Sequence, residues 1–264
     1  MGIFKKKKKG DKIPDKKQKV QDKKQRAFSD DKLSADNKLI SRMDQDSFEV
    51  EQFKKLRTKI MFPASGIPNR SVAVTSTILK EGKSFVAANL ALSIARNLDK
   101  RRVILVDCDI RVPAIHRIFG YGDDVPGLAD YLSAQHSLTS LFLKTDEAEK
   151  LSILPGGSSS RNSSELLTSS KMLGLLEKAH TVYKDHYFIF DLPSPKIVAE
   201  SSVIARRVDG VIIVVQYGRT PQDQVKETID LVGKEKILGV VLNRFDTSMH
   251  SLAYRIFKKY IQRK

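Results

Sequence analysis

Short apolar runs recur along the chain between residues 72 and 242, and stretches with a helical pattern separate them. Runs that lack polar alternation are typical of strands buried on both faces of a parallel sheet. The predicted strands are Val72–Val74, Arg102–Asp107, Leu151–Leu154, Tyr187–Asp191, Gly210–Gln216 and Ile237–Leu242. Because strands and helices alternate, the pattern predicts an α/β fold. Its mostly parallel, doubly wound sheet should carry helices on both faces.

Helices are predicted where apolar side chains can share one stripe or where Ala and Leu predominate. They are Ser47–Phe62, a stretch from about residue 84 to Asn97, Leu128–Ser133, Met172–Lys178 and Pro221–Val232. Ser47 is a suitable N-cap for the first of them, and Pro221 suits the first turn of the last.

Positive charge is concentrated at the beginning of the chain, which has a formal net charge of +16 over 264 residues. Residues 1–26 contain twelve Lys or Arg, three Asp and almost no apolar side chains, so we expect them to be disordered. This predicts a basic tail and linker over residues 1–46 and one domain over 47–264. The tail is either simply solvated or attracted to an anionic membrane surface, where each lysine contributes about 1 kcal/mol. Nucleic acid is the least favoured partner, because the tail lacks interleaved aromatic residues for base stacking.

The rest of the composition bears on the location of the protein. Residues 250–264 are basic and amphipathic, and their apolar side either packs on the sheet, the simpler expectation, or touches a membrane. The single cysteine, Cys108, excludes a disulfide framework within the chain and fits a reducing compartment such as the cytoplasm. No stretch approaches the length of apolar sequence that a transmembrane helix requires.

A Gly-Lys-Ser sequence at residues 82–84 stands between the first predicted strand and the helix that follows it. This layout is typical of a P-loop, in which backbone N–H groups and the helix dipole hold phosphates. Lys83 would reach the β- and γ-phosphates, and the Ser84 hydroxyl would hold Mg²⁺. The ATP-binding residues predicted in the loop are Lys80, Glu81, Gly82, Lys83, Ser84 and Phe85. The alternative is an ordinary strand-to-helix turn, since the full motif has glycine where this chain has Thr77.

Acidic residues follow the second predicted strand and end the fourth. Asp107 and Asp109 are two residues apart, so in extended chain both face one cleft at the C-terminal end of the strand. Open α/β sheets bind ligands at this edge, and one acid would bind Mg²⁺ while the other takes a proton or orients a nucleophile. Asp191 fits the second Mg²⁺-organising acid of P-loop NTPases. The alternative for each acid is a solvated strand end.

A resemblance to one protein family is carried by several stretches, namely Glu81–Ala91, Val103–Gly120, Pro126–Leu132, Leu154–Gly157, Asn162–Leu167, Phe188–Pro195 and Val240–Phe245. The chain resembles the cytoplasmic bacterial tyrosine kinases that govern capsule and exopolysaccharide assembly, which are relatives of the partitioning and cell-division ATPases. The resemblance implies a P-loop NTPase fold with ATP and Mg²⁺ as cofactors. It implies that Lys83, Asp107 and Asp109 are catalytic. It also implies that Ser84, Asp107 and Asp191 organise Mg²⁺, and that Asn243 contacts the nucleotide base.

The same resemblance implies an assembly and a partner. Glu51, Lys54 and Arg57 resemble a Glu-x-x-Arg-x-x-Arg helix that builds a ring of subunits, although their spacing alone fits a solvated charged face equally well. Subunits of such rings phosphorylate one another's C-terminal tyrosines, which here are Tyr254 and Tyr260. The activator implied is the cytoplasmic tail of a membrane-spanning polysaccharide co-polymerase. The protein would then be a separate kinase at the inner face of the plasma membrane.

Three departures from the family pattern leave other functions open. Leu79 and Lys80 replace the usual Pro-Gly, few tyrosines lie near the end of the chain, and Ser194 interrupts a pair of prolines. The leading hypothesis is an ATP-dependent tyrosine autokinase that regulates polysaccharide polymerisation and export. One alternative is a membrane-associated positioning ATPase of the MinD/ParA type, although Ile78 occupies the place of that class's additional lysine. The other is an ATP-binding regulator without kinase activity.

Overall fold

The computed structural model describes residues 39–97, 101–157 and 163–245. The predicted basic tail over residues 1–26 and the amphipathic stretch 250–264, with Tyr254 and Tyr260, lie outside these ranges. Within them, no helix combines the length and the apolar character that crossing a bilayer requires.

The strands form one sheet. They are β1 (Ser71–Ser76), β2 (Arg102–Asp107), β3 (Leu143–Lys144), β4 (Leu151–Leu154), β5 (His186–Asp191), β6 (Gly210–Gln216) and β7 (Ile237–Asn243). Their order is β3-β4-β2-β5-β1-β6-β7, and every neighbouring pair is parallel except β3 with β4. The predicted strands and the mostly parallel sheet are confirmed, whereas the two-residue β3 is too short to produce a pattern in the sequence.

Helices connect most of the strands. They are α1 (Phe48–Met61), α2 (Lys83–Ala95), α3 (Ile115–Ile118), α4 (Leu128–Leu132), α5 (Ser163–Leu166), α6 (Ser170–Thr181), α7 (Glu200–Ala205) and α8 (Gln222–Val232). Short 3₁₀ turns occur at Ile40–Arg42, Leu138–Leu141 and Lys234–Lys236. The predicted N-cap of α1 is confirmed, because the Ser47 hydroxyl accepts a hydrogen bond from the Val50 N–H at 3.4 Å.

Each face of the sheet has its own apolar core. On one face, side chains of α1 and α2 pack with Val72 of β1 and Val214 of β6. On the other face, side chains of α4, α6, α7 and α8 pack with Ile104 of β2 and Ile213 of β6. Burial on both faces explains why these strands are continuous apolar runs rather than alternating ones.

The folded part of the chain begins earlier than the sequence pattern predicted. Leu39 and Ile40 fall within the predicted linker, yet they are only 1% and 5% exposed and belong to the core that contains α1 and α2. The Ile40 N–H donates a hydrogen bond to Asn89 Oδ1 of α2 at 2.7 Å. Two apolar residues among polar neighbours have no period, so only this tertiary contact reveals their place. The domain therefore includes residues before the predicted boundary at Ser47.

Candidate functional site

Three adjacent strands bring the candidate residues to one edge of the sheet. β2, β5 and β1 are neighbours, and Asp107 at the end of β2 is the register partner of Asp191 at the end of β5. Lys83 begins α2, just after the loop that follows β1. Because parallel strands present their C-terminal ends on the same side, the lysine and the acids meet there.

Lys83 lies at the centre of the cluster. Its Nζ is 2.9 Å from Asp109 Oδ2, 3.6 Å from Asp191 Oδ1 and 3.3 Å from Ser84 Oγ. Burial alone would lower the pKa of Lys83, but the charges of Asp191 and Asp109 outweigh burial and raise it above its ordinary value. The side chain is therefore held as a cation between the acids.

Asp107 belongs to the same edge, but backbone groups bind its carboxylate. Oδ2 accepts hydrogen bonds from the N–H groups of Ala114 at 2.9 Å and Ile115 at 3.0 Å, and Oδ1 accepts one from the Asp109 N–H at 3.1 Å. Burial and the charge of Asp191 raise the pKa of Asp107 to about 7, although the Ile115 N–H opposes this change. Asp107 thus anchors the turn into α3, a role that the sequence did not indicate.

Asp191 is fully buried, and neither of its carboxylate oxygens accepts a hydrogen bond from the described residues. Burial raises its pKa, and the charge of Lys83 opposes that change. A buried carboxylate without donors is unfavourable, and a divalent cation would satisfy it. In the described ranges no three or more His, Cys, Asp or Glu form a complete metal site. Ser84, Asp107 and Asp191 offer oxygen atoms, the ligand type that Mg²⁺ binds, and this ion usually takes one or two carboxylates and completes its shell with phosphate and water.

The loop before α2 adopts backbone conformations that favour glycine. Gly82 has a φ of 89°, and a Cβ on it would lie 2.2 Å from Asn243 Nδ2. Lys80 also has a positive φ, 66°, and its side chain is exposed. The left-handed conformation costs a non-glycine residue about 1–2 kcal/mol, so contacts around the loop must hold Lys80 in it.

Glu81 lies between these two residues and is held from several directions. Its buried carboxylate accepts hydrogen bonds from the Ile78 N–H at 2.7 Å, from the Gln216 N–H at 3.1 Å and from the Thr220 hydroxyl. Its backbone carbonyl accepts a hydrogen bond from Asn243 Nδ2 at 2.8 Å. Glu81 and Asn243 are both predicted nucleotide-binding residues, and a hydrogen bond joins them directly.

Ser194 also supports the loop. Its buried hydroxyl donates a hydrogen bond to the Thr77 carbonyl at 2.8 Å, and nearby the Thr75 hydroxyl donates to the Pro193 carbonyl at 3.0 Å. The serine that interrupts the usual pair of prolines thus binds the phosphate loop directly. Sequence reasoning noted Ser194 only as a departure from the family pattern.

The candidate assembly residues lie on α1. Glu51 Oε2 and Lys54 Nζ are 3.7 Å apart, and Lys54 also donates to the Gln45 carbonyl at 3.2 Å. Arg57 donates from Nη1 to the Ser93 carbonyl of α2 at 3.2 Å. Arg57 therefore joins α1 to α2 within the chain, a contact that the sequence did not indicate.

A groove of about 1230 Å³ runs between α1 and the phosphate loop. Gly82, Phe85 and Asn243 line it together with most residues of α1, including the three candidate assembly residues. The Phe85 ring packs edge-on against the Phe53 ring of α1, with the ring centroids 6.1 Å apart. The groove therefore extends from the predicted base-contacting residue to the predicted assembly surface.

Most of the chain is similar to known nucleotide-binding proteins. Residues 72–263 match the family described as the CobQ/CobB/MinD/ParA nucleotide binding domain. The tyrosine-protein kinase YwqD of Bacillus subtilis is 31% identical over 215 residues, which cover 81% of this chain and 88% of YwqD. The succinoglycan biosynthesis transport protein ExoP of Rhizobium meliloti is 32% identical over 202 residues. That match covers 75% of this chain but only 25% of ExoP, so the chain spans about a quarter of this longer relative.

Solved structures show the same fold. The crystal structure of the chimerical protein CapA2B2 has a TM-score of 0.70 at 31% identity, covering 78% of this chain and 89% of that one. The cell-division ATPase MinD of Pyrococcus furiosus has a TM-score of 0.54 at 20% identity, covering 68% and 74%, and shares the fold. The chain therefore belongs to the CobQ/CobB/MinD/ParA nucleotide-binding domain family and, within it, to the bacterial tyrosine kinases that include YwqD.

Proposed function

We propose that this chain is an ATP- and Mg²⁺-dependent protein-tyrosine autokinase that regulates polymerisation and export of a capsular or extracellular polysaccharide. The observation that carries the proposal is the cluster of Lys83, Asp109 and Asp191 beside Ser84 at the start of α2. Similarity to a tyrosine-protein kinase and to a polysaccharide transport protein supports the class of reaction and its setting.

The triphosphate would lie at the N-terminal end of α2, where backbone N–H groups and the helix dipole favour anions. Lys83 would exchange its contacts with Asp109 and Asp191 for contacts with the β- and γ-phosphates, as the lysine of a P-loop does. The N–H groups of Gly82, Ser84 and Phe85 would contribute to the cradle. The exposed Lys80 would add a second cation at its rim, and Glu81 would contribute to the loop.

Ser84, Asp107 and Asp191 are the residues proposed to hold Mg²⁺. The ion neutralises charge on the β- and γ-phosphate oxygens when it is bound. Asp191 supports this assignment most directly, because both of its oxygens are buried without a hydrogen-bond donor from the described residues. The two carboxylate oxygens of Asp107 already accept hydrogen bonds from backbone N–H groups. Their remaining lone pairs would be available to the ion.

Asp109 is the residue proposed to act on the tyrosine hydroxyl. Its side chain is 14% exposed, whereas those of Asp107 and Asp191 are fully buried, so an incoming hydroxyl can approach it. As the tyrosine oxygen bonds to the γ-phosphorus, the bond from that phosphorus to the β–γ bridging oxygen breaks and ADP leaves. The hydroxyl proton passes to the Asp109 carboxylate.

Base contact and assembly complete the proposal. Asn243 lines the groove beside Gly82 and would contact the base there. Glu51, Lys54 and Arg57 would form part of a ring interface, so that a neighbouring subunit receives Tyr254 or Tyr260.

The cytoplasmic tail of a membrane-spanning polysaccharide co-polymerase would be the activator. Residues 1–26, attracted to anionic lipid, would keep the kinase at the inner face of the plasma membrane.

Incubation of the purified chain with Mg-ATP tests the activity. We expect mass spectrometry to detect phosphotyrosine at Tyr254 or Tyr260 and expect the Lys83→Met variant to show none. ADP release without a modified tyrosine would favour a positioning ATPase of the MinD/ParA type. ATP binding with neither product would favour a regulator without kinase activity.

The membrane contact has its own test. Vesicles that contain anionic lipid should bind the full chain and lose most of this binding when residues 1–26 are deleted, and added salt should weaken it. Vesicle binding that survives the deletion would refute the role of the tail.

A further inference from the structure

Glu81 is a buried carboxylate that no lysine, arginine or histidine of the described residues neutralises within salt-bridge distance. Its donors are the Ile78 N–H at 2.7 Å, the Gln216 N–H at 3.1 Å and the Thr220 hydroxyl. Burying a charge is strongly unfavourable unless hydrogen bonds compensate it. These bonds therefore decide whether this part of the phosphate loop can keep its conformation.

Two of the three donors are distant in sequence. Gln216 ends β6 and Thr220 lies in the turn before α8, 135 and 139 residues after Glu81. The phosphate loop is thus fastened to the end of a neighbouring strand and not only to itself. The same turn is joined to β7, because the Tyr217 N–H donates to the Asn243 carbonyl at 3.0 Å.

The position of Glu81 also fixes the groups that would meet a nucleotide. Gly82 alone separates it from Lys83, the first residue of α2. Its carbonyl accepts the Asn243 amide at 2.8 Å, and that amide is the predicted base contact. A shift of Glu81 would therefore move both the start of α2 and Asn243.

The loop has a particular need for such an anchor. Lys80 occupies a left-handed conformation with a φ of 66°, and Thr77 stands where the full P-loop motif has glycine. Because Lys80 does not prefer the left-handed conformation on its own, contacts around the loop must maintain it.

From these contacts we propose that Glu81 is a positioning residue for nucleotide binding. Its carboxylate, held by Gln216 and Thr220, fixes the phosphate loop relative to the ends of β6 and β7. The inference rests on the proposed function, since it assigns the loop to ATP, but it requires no contact between Glu81 and the nucleotide.

Thr220 offers a matched pair of variants in the full chain. Thr220→Val keeps the shape and removes the hydroxyl donor, whereas Thr220→Ser keeps the donor. We expect isothermal titration calorimetry to give about tenfold weaker Mg-ATP binding for Thr220→Val, the effect of losing one hydrogen bond to a charged group. Thr220→Ser should bind within about twofold of the wild type, because a serine hydroxyl donates in the same way. Measurements are made well below the melting temperature of each variant, so that unfolding does not contribute.

A double-mutant cycle with Glu81→Ala tests whether Thr220 affects Mg-ATP affinity through Glu81. If Thr220 acts through Glu81, adding Thr220→Val to Glu81→Ala should not weaken Mg-ATP binding further. Equal losses from Thr220→Val in both backgrounds would overturn the proposal. So would a lowered melting temperature with unchanged Mg-ATP affinity, which is the result of a purely structural contact. If Glu81→Ala does not fold, the Thr220 pair decides alone.

Failure of this inference differs from failure of the proposed function. A wild-type chain that does not bind Mg-ATP contradicts the proposed function itself. A wild-type chain that binds Mg-ATP, with Thr220→Val binding equally well, contradicts only the role of Glu81.

Discussion

Asp107 and Asp191 are register partners at the ends of adjacent parallel strands, and both side chains are fully buried. Two carboxylates in this arrangement disfavour each other's ionised form, which is part of the reason that the pKa of Asp107 is raised. Lys83 moderates the repulsion from a distance of 3.6 Å to Asp191. The site therefore holds closely spaced buried carboxylates, whose negative charge a divalent cation would neutralise.

In the absence of nucleotide and Mg²⁺, the free energy of unfolding should fall as the pH rises toward neutrality. The pKa of Asp107 is about 7 in the folded protein against an ordinary value of 3.8, so between these values the folded chain binds a proton that the unfolded chain lacks. Stability decreases with pH wherever the folded state binds more protons, by at most about 1.4 kcal/mol per pH unit for one group. Thermal unfolding in EDTA between about pH 5 and about pH 7 measures this slope.

Two variants separate Asp107 from the other titrating groups. Asp107→Asn cannot titrate, so its stability should depend less steeply on pH than that of the wild type in this window. Asp124→Asn, which changes an exposed acid, should leave the wild-type slope in place. Parallel curves for the wild type and Asp107→Asn would contradict the raised pKa.

The location of the site could be predicted because its residues end buried strands or begin a helix. Asp107 and Asp191 follow uninterrupted apolar runs, and Lys83 follows a glycine before an Ala/Leu-rich stretch. In a parallel sheet such positions lie at the same edge, independently of the conformation of the loops. The pattern therefore sufficed to place the lysine and the acids together.

The partners of these side chains could not be predicted in the same way. Glu81 and Thr220 are 139 residues apart, and Ser194 and Thr77 are 117 residues apart. A helical or strand period relates only residues that are close in sequence, so it cannot predict these contacts. Burial of Leu39 likewise depends on a tertiary contact and not on a repeated pattern. Strand order and loop conformation decide such contacts, and both become visible only in the folded chain.

Lys83→Met should abolish ATP binding and also destabilise the nucleotide-free protein. Asp109 and Asp191 would lose their cation in a site where Asp191 is fully buried, and removing one partner of a buried ion pair costs about 3 kcal/mol or more. Urea denaturation gives the change in stability, and calorimetry gives the affinity for Mg-ATP.

Lys80→Met is the matched control, because it removes an exposed lysine from the same loop. Its stability should stay within about 0.5 kcal/mol of the wild type, as for most surface substitutions, and its affinity should fall far less. Wild-type ATP affinity in Lys83→Met would refute the nucleotide site.

Ser194→Ala should lower the free energy of unfolding by about 1–2 kcal/mol, because the buried Thr77 carbonyl loses its hydroxyl donor. Ser202→Ala is the control: that hydroxyl also donates to a carbonyl, Ala199 at 2.7 Å, but this bond is exposed, in the first turn of α7. The control should change stability by less than about 0.5 kcal/mol. If urea denaturation shows that both variants lose the same free energy of unfolding, the hydrogen bond from Ser194 to the phosphate loop stabilises the protein no more than an exposed one does.

Gly82→Ala should weaken both stability and ATP binding. The φ of 89° costs an alanine about 1–2 kcal/mol, and its Cβ would lie 2.2 Å from Asn243 Nδ2, so the loop or the amide must move. Gly122→Ala is the control, since a Cβ at that position meets no atom within 4 Å.

The two causes can be separated by adding Asn243→Ala to Gly82→Ala. This second change removes the clashing amide but leaves the backbone strain, so the double variant should be more stable than additive losses predict. ATP affinity should remain low, because Asn243→Ala removes the amide that is proposed to contact the base. Additive losses in urea denaturation would mean that Gly82 is required for its φ alone and that the close approach of Asn243 is dispensable.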